Sequence, residues 1–247
     1  MAKVSIIILL GKEVDNTLLK KCLDSVKWCD EIIKVDTKNI KGNFADWRNE
    51  GLKRAKNDWI LYIDTDEEVS LSLRDEIIQL ISKPVSKAWP ALLINQNNAY
   101  AIPRQNIIFG QEFKHGGQWP DYQKRLFRKK AFNKWVGDLH EEPVYLGDLG
   151  YLKSSIIHHK NLELGQMVEK TNKWSEIEAK LMLDANHPRM NIIRFASAGF
   201  REFLLRFVKQ LCFLDGSKGV IYGIYQIYSR LISYSKLWEK QQSIIRT

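Results

Sequence analysis

Short apolar stretches alternate with helical patterns over the first third of the chain. Three stretches predict buried strands: Val4 to Leu10, Glu31 to Asp36 and Trp59 to Asp64. Apolar residues three or four positions apart predict helices between and after them: Leu18 to Val26, Phe44 to Lys56 and Leu71 to Ser82. This alternation predicts an α/β fold in which crossover helices join parallel strands.

The rest of the chain predicts shorter strands and then helices. Strand-like stretches run from Ala99 to Pro103 and from Tyr122 to Arg128, with a loop over residues 114–120 between them. A polar amphipathic helix follows from Leu162 to Leu183. After Pro188 the sequence turns aromatic, aliphatic and basic, so we predict a catalytic α/β domain over 1–188 and a helical tail over 189–247. Two helices are expected in this tail, separated by a turn at its glycines: Ile192 to Leu214, Val220 to Trp238, and the turn residues Gly216 and Gly219.

The composition indicates in which cellular compartment the protein is expected. Three cysteines form no CxxC pair among the 247 residues, which favours a reducing compartment and excludes a disulfide framework. The chain has no run of about 20 apolar residues, the length that a membrane-spanning helix needs. The apolar run near the N-terminus is short for a signal peptide and lacks a cleavage site. We therefore expect a cytoplasmic protein.

The net charge of +9 is concentrated in the last quarter of the chain. Residues 189–247 contain ten Lys and Arg against three Asp and Glu. Cations mixed with Phe, Tyr, Trp and Leu are typical of helices that lie on an anionic membrane surface. A helical hairpin packed on the catalytic domain or on a second copy is the alternative. No nucleic-acid-binding motif accompanies the charge, so nucleic acid is not expected as a partner.

Two carboxylates follow the third predicted strand. Asp64 and Asp66 are two positions apart, so on an extended chain both side chains point the same way. Ligands of open α/β sheets bind at the carboxyl ends of the strands, and carboxylates are the preferred ligands of Mg²⁺ and Mn²⁺. The pair is therefore a candidate metal site. An acidic turn that stabilises the next helix is the alternative.

Several stretches in order resemble glycosyltransferase family 2, in particular its branch that acts on lipopolysaccharide core sugars. They are VSIII, CLDSVKWCDEII, WRNEGL, DWILYIDTDEE, IPRQNIIFG, HGGQWPDYQKRLFRK, GDLHEEP and SYSKLWEKQQ. The resemblance covers nearly the whole chain. It implies a GT-A fold, a Rossmann-like nucleotide-binding sheet. It also implies an inverting, metal-dependent transfer of a sugar from a nucleotide-sugar donor to a lipopolysaccharide-core or related glycolipid or glycan, at the inner face of the cytoplasmic membrane.

The resemblance also implies roles for individual residues on the donor side. Asp64 and Asp66 are similar to the metal-binding DxD pair, and His158 is similar to a late histidine ligand, with His159 as its neighbour. Asp36 matches the carboxylate that contacts the nucleoside, and Arg48 matches an arginine of the donor pocket.

Other side chains are candidates for the acceptor and the phosphates. An inverting transfer needs a base for the acceptor hydroxyl. The order of motifs in the family implies that this base is Glu141, with Asp138 and Glu142 as alternates. Arg125 and Arg128 are candidates for binding phosphate oxygens, which the guanidinium fork suits.

The sequence departs from the family pattern at two places. Only Lys12 and Glu13 remain of the usual turn after the first strand, and the link after Asp36 is short. Two alternatives therefore stay open: a non-catalytic, membrane-associated relative and a sugar nucleotidyltransferase.

Overall fold

The computed structural model describes residues 3–11, 14–82, 97–137, 141–160 and 163–246. The chain divides into two compact units, one formed by residues up to 106 with 120–159 and the other by 107–119 with 160–247. The described strands, in chain order, are β1 (Val4–Leu10), β2 (Glu31–Asp36), β3 (Trp59–Ile63), β4 (Glu67–Val69), β5 (Asn97–Ile108), β6 (Gln111–Glu112), β7 (Asp121–Arg128), β8 (Phe132–Val136), β9 (Glu142–Tyr145), β10 (Asp148–Tyr151) and β11 (Ile156–Lys160).

The main sheet is mixed. Its described strands run in the order β2-β1-β3-β7-β5-β11-β4. Strand β1 pairs in parallel with both β2 and β3, whereas β7 pairs antiparallel with both β3 and β5. Because β1, β2 and β3 are parallel, their carboxyl ends lie at one edge of the sheet.

Helices cover both faces of the three parallel strands. The α-helices among the described residues of this unit are α1 (Asn16–Ser25), α2 (Phe44–Arg54) and α3 (Leu71–Ile81). Alternate strand residues point to opposite faces: Ile6 and Ile8 pack in one core with residues of α1 and α3, and Ile7 packs in a second core with Ala45 of α2. The predicted α/β class is therefore confirmed.

Polar caps fix where these helices begin. Asp15 accepts hydrogen bonds from the backbone N–H groups of Thr17 and Leu18, and Asn43 and Asp46 form a reciprocal capping box. The three helices end one or two residues before their predicted ends. Their residue patterns were thus sufficient to locate them.

The second unit is helical. It contains α4 (Leu164–Asp184), α5 (Ile192–Phe203) and α6 (Gly216–Arg246), with a π-helical turn, Leu204–Lys209, and a 3₁₀ turn, Cys212–Asp215, between α5 and α6. Ala179 of α4 and Leu237 of α6 are fully buried in its core. Among the described residues, no helix is both long enough and apolar enough to cross a membrane.

This division differs from the boundary predicted at residue 188. The amphipathic helix α4 belongs with the tail, because its Met167, Thr171, Ser175 and Ala179 are buried while its opposite side is exposed. Thr171 makes a hydrogen bond of 2.5 Å with the hydroxyl of Tyr225 in α6. The first tail helix is also shorter than predicted.

Candidate functional site

A tight turn after β3 places two acidic side chains at the carboxyl end of the strand. The backbone N–H of Asp64 donates to Oε2 of Glu67 at 3.0 Å, and the backbone N–H of Glu67 donates to the carbonyl of Asp64 at 3.0 Å. These two bonds close the turn and turn the Glu67 carboxylate inward, where it is completely buried. The turn therefore presents one half-buried acid, Asp66, beside one buried acid.

Two buried arginines converge on Asp64. Nη2 of Arg125, from β7, lies 2.5 Å from Oδ2 of Asp64, and Nη2 of Arg48, from α2, lies 3.4 Å from Oδ1. Arg125 also donates to Oε1 of Glu67 at 3.0 Å. Asp64 is thus held between two guanidinium groups.

This pairing decides the charge state of the site. Burial acts to raise the pKa of Asp64, but Arg125 and Arg48 outweigh it and hold the pKa below the ordinary value. Burial acts to lower the pKa of Arg125, but Asp64 and Glu67 outweigh it and raise that pKa. Asp64 therefore stays ionised at neutral pH and cannot serve as a proton donor there.

Aromatic rings hold Arg48 in place. Its guanidinium carbon lies 5.0 Å from the ring centroid of Trp135 and 5.6 Å from that of Tyr62, distances at which cation–π attraction operates. The Tyr62 hydroxyl donates to the backbone carbonyl of Arg48 at 3.3 Å. Asn49, the next residue in α2, makes two hydrogen bonds with the backbone of Trp135. The charge of Arg48 is therefore fixed in position.

Glu141 joins the same cluster. Its Oε1 accepts a hydrogen bond from Nε of Arg48 at 3.1 Å, and its side chain is 19% exposed. The alternates differ. Glu142 points to Lys124, at 2.7 Å, and is mostly exposed, and Asp138 lies outside the described residues. Of these predicted bases that the structure describes, Glu141 is the one in contact with the arginine pair.

A polar chain leads from the buried Glu67 to His158. Arg104 lies 3.5 Å from Glu67 and binds Asp121 through two nitrogens, at 2.6 and 2.9 Å. Asn106 donates to Asp121 at 3.2 Å, and its Oδ1 lies 2.6 Å from Nδ1 of His158. Burial acts to raise the pKa of Asp121, but Arg104 outweighs it and lowers that pKa.

This chain of bonds assigns the proton on His158. Because the amide nitrogen of Asn106 donates to Asp121, its oxygen is the atom that faces His158. The imidazole Nδ1 must then carry a hydrogen, and Nε2, the other ring nitrogen, lies 3.5 Å from Oδ2 of Asp66. A metal-binding histidine is usually oriented in this way, by a hydrogen bond from its second ring nitrogen.

Two of the predicted metal ligands, Asp66 and His158, lie 3.5 Å apart. Within the described ranges, no group of three or more His, Cys, Asp and Glu side chains could hold a metal ion. Mg²⁺ and Mn²⁺ usually take one or two protein carboxylates together with substrate phosphates and water, and Asp66 supplies one such carboxylate. His159, the neighbouring candidate, instead bonds Glu68 at 2.5 Å.

The structure does not bring two predicted residues into this cluster. Arg128 pairs with Trp59, at the opposite end of β3 from Asp64, and its guanidinium lies 5.1 Å from the Trp59 ring. Its placement gives no support to the predicted phosphate role. Asp36 ends β2 at the same sheet edge as Asp64, but its side chain is exposed and caps the next turn by accepting from the N–H of Lys38.

The chain is similar to proteins named as glycosyltransferases over nearly its full length. It is 25% identical to an uncharacterized glycosyltransferase of Rickettsia bellii (strain RML369-C), with 96% of this chain and 86% of that protein covered. It is 21% identical to the lipopolysaccharide core biosynthesis glycosyltransferase LpsC of Rhizobium meliloti (strain 1021), with 92% and 89% covered. No protein-family model matches the chain.

Among solved structures, the chain is similar to S. aureus TarS. The match with the structure of TarS 1–349 in complex with UDP-GlcNAc covers 98% of this chain and 92% of the TarS chain, at 10% sequence identity and a TM-score of 0.37. A second crystal structure of TarS 1–349 gives a TM-score of 0.35.

Sequence reasoning missed four members of the cluster: Glu67, Arg104, Asn106 and Asp121. A weak signal existed in β5, where Arg104 and Asn106 interrupt an apolar strand, a position in which a charge needs a partner. Glu67 had no distinguishing signal, because a second glutamate follows it and the pair reads as an acidic turn.

Proposed function

We propose that this protein is an inverting glycosyltransferase that moves a sugar from a nucleotide-sugar donor to a lipopolysaccharide-core or related cell-envelope glycan. The observation that carries the proposal is the convergence of Arg48 and Arg125 on Asp64 at the carboxyl end of β3, with Glu141, Asp66 and His158 adjacent. The full-length similarity to named glycosyltransferases supports it. The inner face of the cytoplasmic membrane is where such an acceptor would be met.

The charge balance of the cluster supports a divalent cation. Among the described residues of the cluster, five carboxylates face three guanidinium groups, which leaves two negative charges where the anionic donor would bind; the carboxylates are Asp64, Asp66, Glu67, Asp121 and Glu141. A diphosphate would be repelled there unless a cation were present. We infer Mg²⁺ or Mn²⁺, held by Asp66 and His158, whose charge would stabilise the departing diphosphate.

The protein side chains have separate roles in this scheme. Arg48 is suited to bind donor phosphate oxygens, because its position is fixed by aromatic rings and its fork suits phosphate. Asp64 stays ionised and holds both arginines. The acceptor oxygen attacks the anomeric carbon as the bond from that carbon to the diphosphate oxygen breaks, and Glu141 takes the hydroxyl proton. The nucleoside diphosphate leaves with the bonding electron pair.

The test is turnover of nucleotide sugars by an Asp66→Asn variant. We expect at least a hundredfold lower Mn²⁺-dependent donor hydrolysis and transfer, because the cation loses its protein carboxylate. Thermal unfolding should change little, because the Asp66 side chain is 44% exposed. Asp75→Asn, an exposed acid of α3, is the matched control. Unchanged turnover in Asp66→Asn would remove the metal assignment.

A second variant tests the base. Glu141→Gln should lower kcat while donor binding, followed by thermal shift, is retained, because only the proton acceptor is lost. Glu142→Gln is the matched neighbour. Loss of kcat in Glu142→Gln alone would move the base to that residue. Absence of turnover with every nucleotide sugar would favour the non-catalytic alternative.

A further inference from the structure

The helical unit exposes apolar side chains along one continuous segment, residues 192–224. Ile193 is 75% exposed, Phe200 61%, Val208 59% and Ile224 57%. Ile193, Phe200 and Leu204 are spaced by seven and four residues, so they share one face of the helix and its π-helical continuation. Single exposed apolar residues are ordinary, but a contiguous set marks an interaction surface.

The charges of this segment are sorted by sign. Its three fully exposed charged residues are cations: Arg194, Arg201 and Lys209. Its two acids are both buried: Glu202 pairs with Arg206 at 2.7 Å, and Asp215 accepts from the backbone of His115 at 2.8 Å. The surface is therefore apolar and positively charged, without an exposed acid to offset the cations.

The segment also holds a loop in a fixed conformation. The N–H of Gly116 donates to the carbonyl of Gln210 at 2.9 Å, and Arg206 donates to the carbonyl of Gly116 at 3.0 Å. Gly117 has a φ of +77°, and a Cβ there would lie 2.6 Å from the amide nitrogen of Gln210. The loop carries Trp119, 40% exposed, a residue type that favours membrane interfaces.

We propose that residues 192–224, which we term the lipid-facing surface, dock on an anionic lipid bilayer. The apolar side chains would enter the headgroup boundary, and Arg194, Arg201 and Lys209 would meet lipid phosphates. A symmetric contact with a second copy is disfavoured, because it would bring two positively charged surfaces together. The proposal rests on the proposed function: it names the membrane as the partner that presents the glycolipid acceptor.

The experiment is sedimentation with lipid vesicles. The full chain should bind vesicles of phosphatidylglycerol and phosphatidylethanolamine and bind phosphatidylcholine vesicles far more weakly. The combined variant Arg194→Gln/Arg201→Gln/Lys209→Gln should bind anionic vesicles roughly a hundredfold more weakly, because each interfacial cation contributes a factor of about five. Phe200→Ser/Ile224→Ser should also weaken binding. Lys180→Gln, an exposed cation of α4, is the matched control and should bind like the parent.

Three results would overturn the proposal. The first is no binding to anionic vesicles, and the second is equal binding by the parent and the triple variant. The third is a protein that does not bind vesicles but forms a stable dimer, which Phe200→Ser dissociates. Retained thermal unfolding temperatures show that the variants fold. Vesicle binding is measured without sugar transfer, so binding without turnover would sink the proposed function and leave the lipid-facing surface standing.

Discussion

The two units use arginine in opposite ways. In the sheet unit, Arg48 and Arg125 are buried and each contacts at least one carboxylate at the carboxyl end of β3. In the helical unit, Arg194 and Arg201 are exposed among apolar side chains, while the acids Glu202 and Asp215 are the buried charges. A buried guanidinium thus has a fixed position, which suits the binding of one defined substrate. An exposed guanidinium is free to move and suits contact with a surface of variable composition.

The largest expected effect comes from removing a buried arginine. Arg125→Met should lower the free energy of unfolding by about 3–5 kcal/mol, because it removes the nearer of the two guanidinium groups beside the fully buried Glu67 and one of the two beside Asp64. Urea unfolding at neutral pH measures this. Lys124→Met, on the same strand and paired with the exposed Glu142, should cost less than about 1 kcal/mol.

A double variant tests the cause of this loss of stability. Because the loss arises in part from the buried charge of Glu67, adding Glu67→Gln to Arg125→Met should recover part of the free energy of unfolding. A cost below about 1 kcal/mol for Arg125→Met alone would show that Glu67 does not depend on this partner, and the contrast between the units would fail.

The next largest effect is expected at the buried acid of the helical unit. Asp215→Ala should lower the free energy of unfolding by about 2–3 kcal/mol, because the N–H groups of Lys114 and His115 lose their acceptor, a carboxylate that is itself buried. Amide exchange of this loop should accelerate at the same time. Asp184→Ala, an exposed acid at the end of α4, should change stability by less than about 0.5 kcal/mol. Equal losses of stability in the two variants would contradict the conclusion that the buried acid Asp215 stabilises the helical unit more than an exposed acid does.

The sequence was sufficient for elements whose pattern is local. Strands β1 and β2 have the predicted ends, and Asp64 was found because it follows a buried apolar stretch. Arg128 lies away from Arg125 for a geometric reason: β7 runs antiparallel to β3, so the three residues from Arg125 to Arg128 lead toward the other end of β3. The hydrophobic pattern alone does not fix that direction.

The missed parts of the molecule depend on long-range pairing. Arg104 meets Asp121 because β5 and β7 pair in a register that aligns these two residues, and hydrophobic periodicity does not reveal that register. The break in the tail helix is similar. Leu211 adopts a left-handed conformation with φ +50°, which leucine rarely favours, so its residue type gave no warning. Packing around these residues decides both features.

The smallest effect concerns the pH dependence of stability and arises in the sheet unit. Arg104 lowers the pKa of Asp121 against the opposing effect of burial, so its stabilising contribution is fully present above the unfolded-state pKa of about 4 and is lost as pH falls below it. From pH 5 to pH 3 the parent should therefore lose stability through this residue. Asp121→Asn should start less stable at pH 7 and show a flatter acid dependence in urea unfolding. If both proteins lose stability in parallel, Asp121 is not held ionised by Arg104, and the chain from Glu67 to His158 lacks the charge pairing that fixes the imidazole.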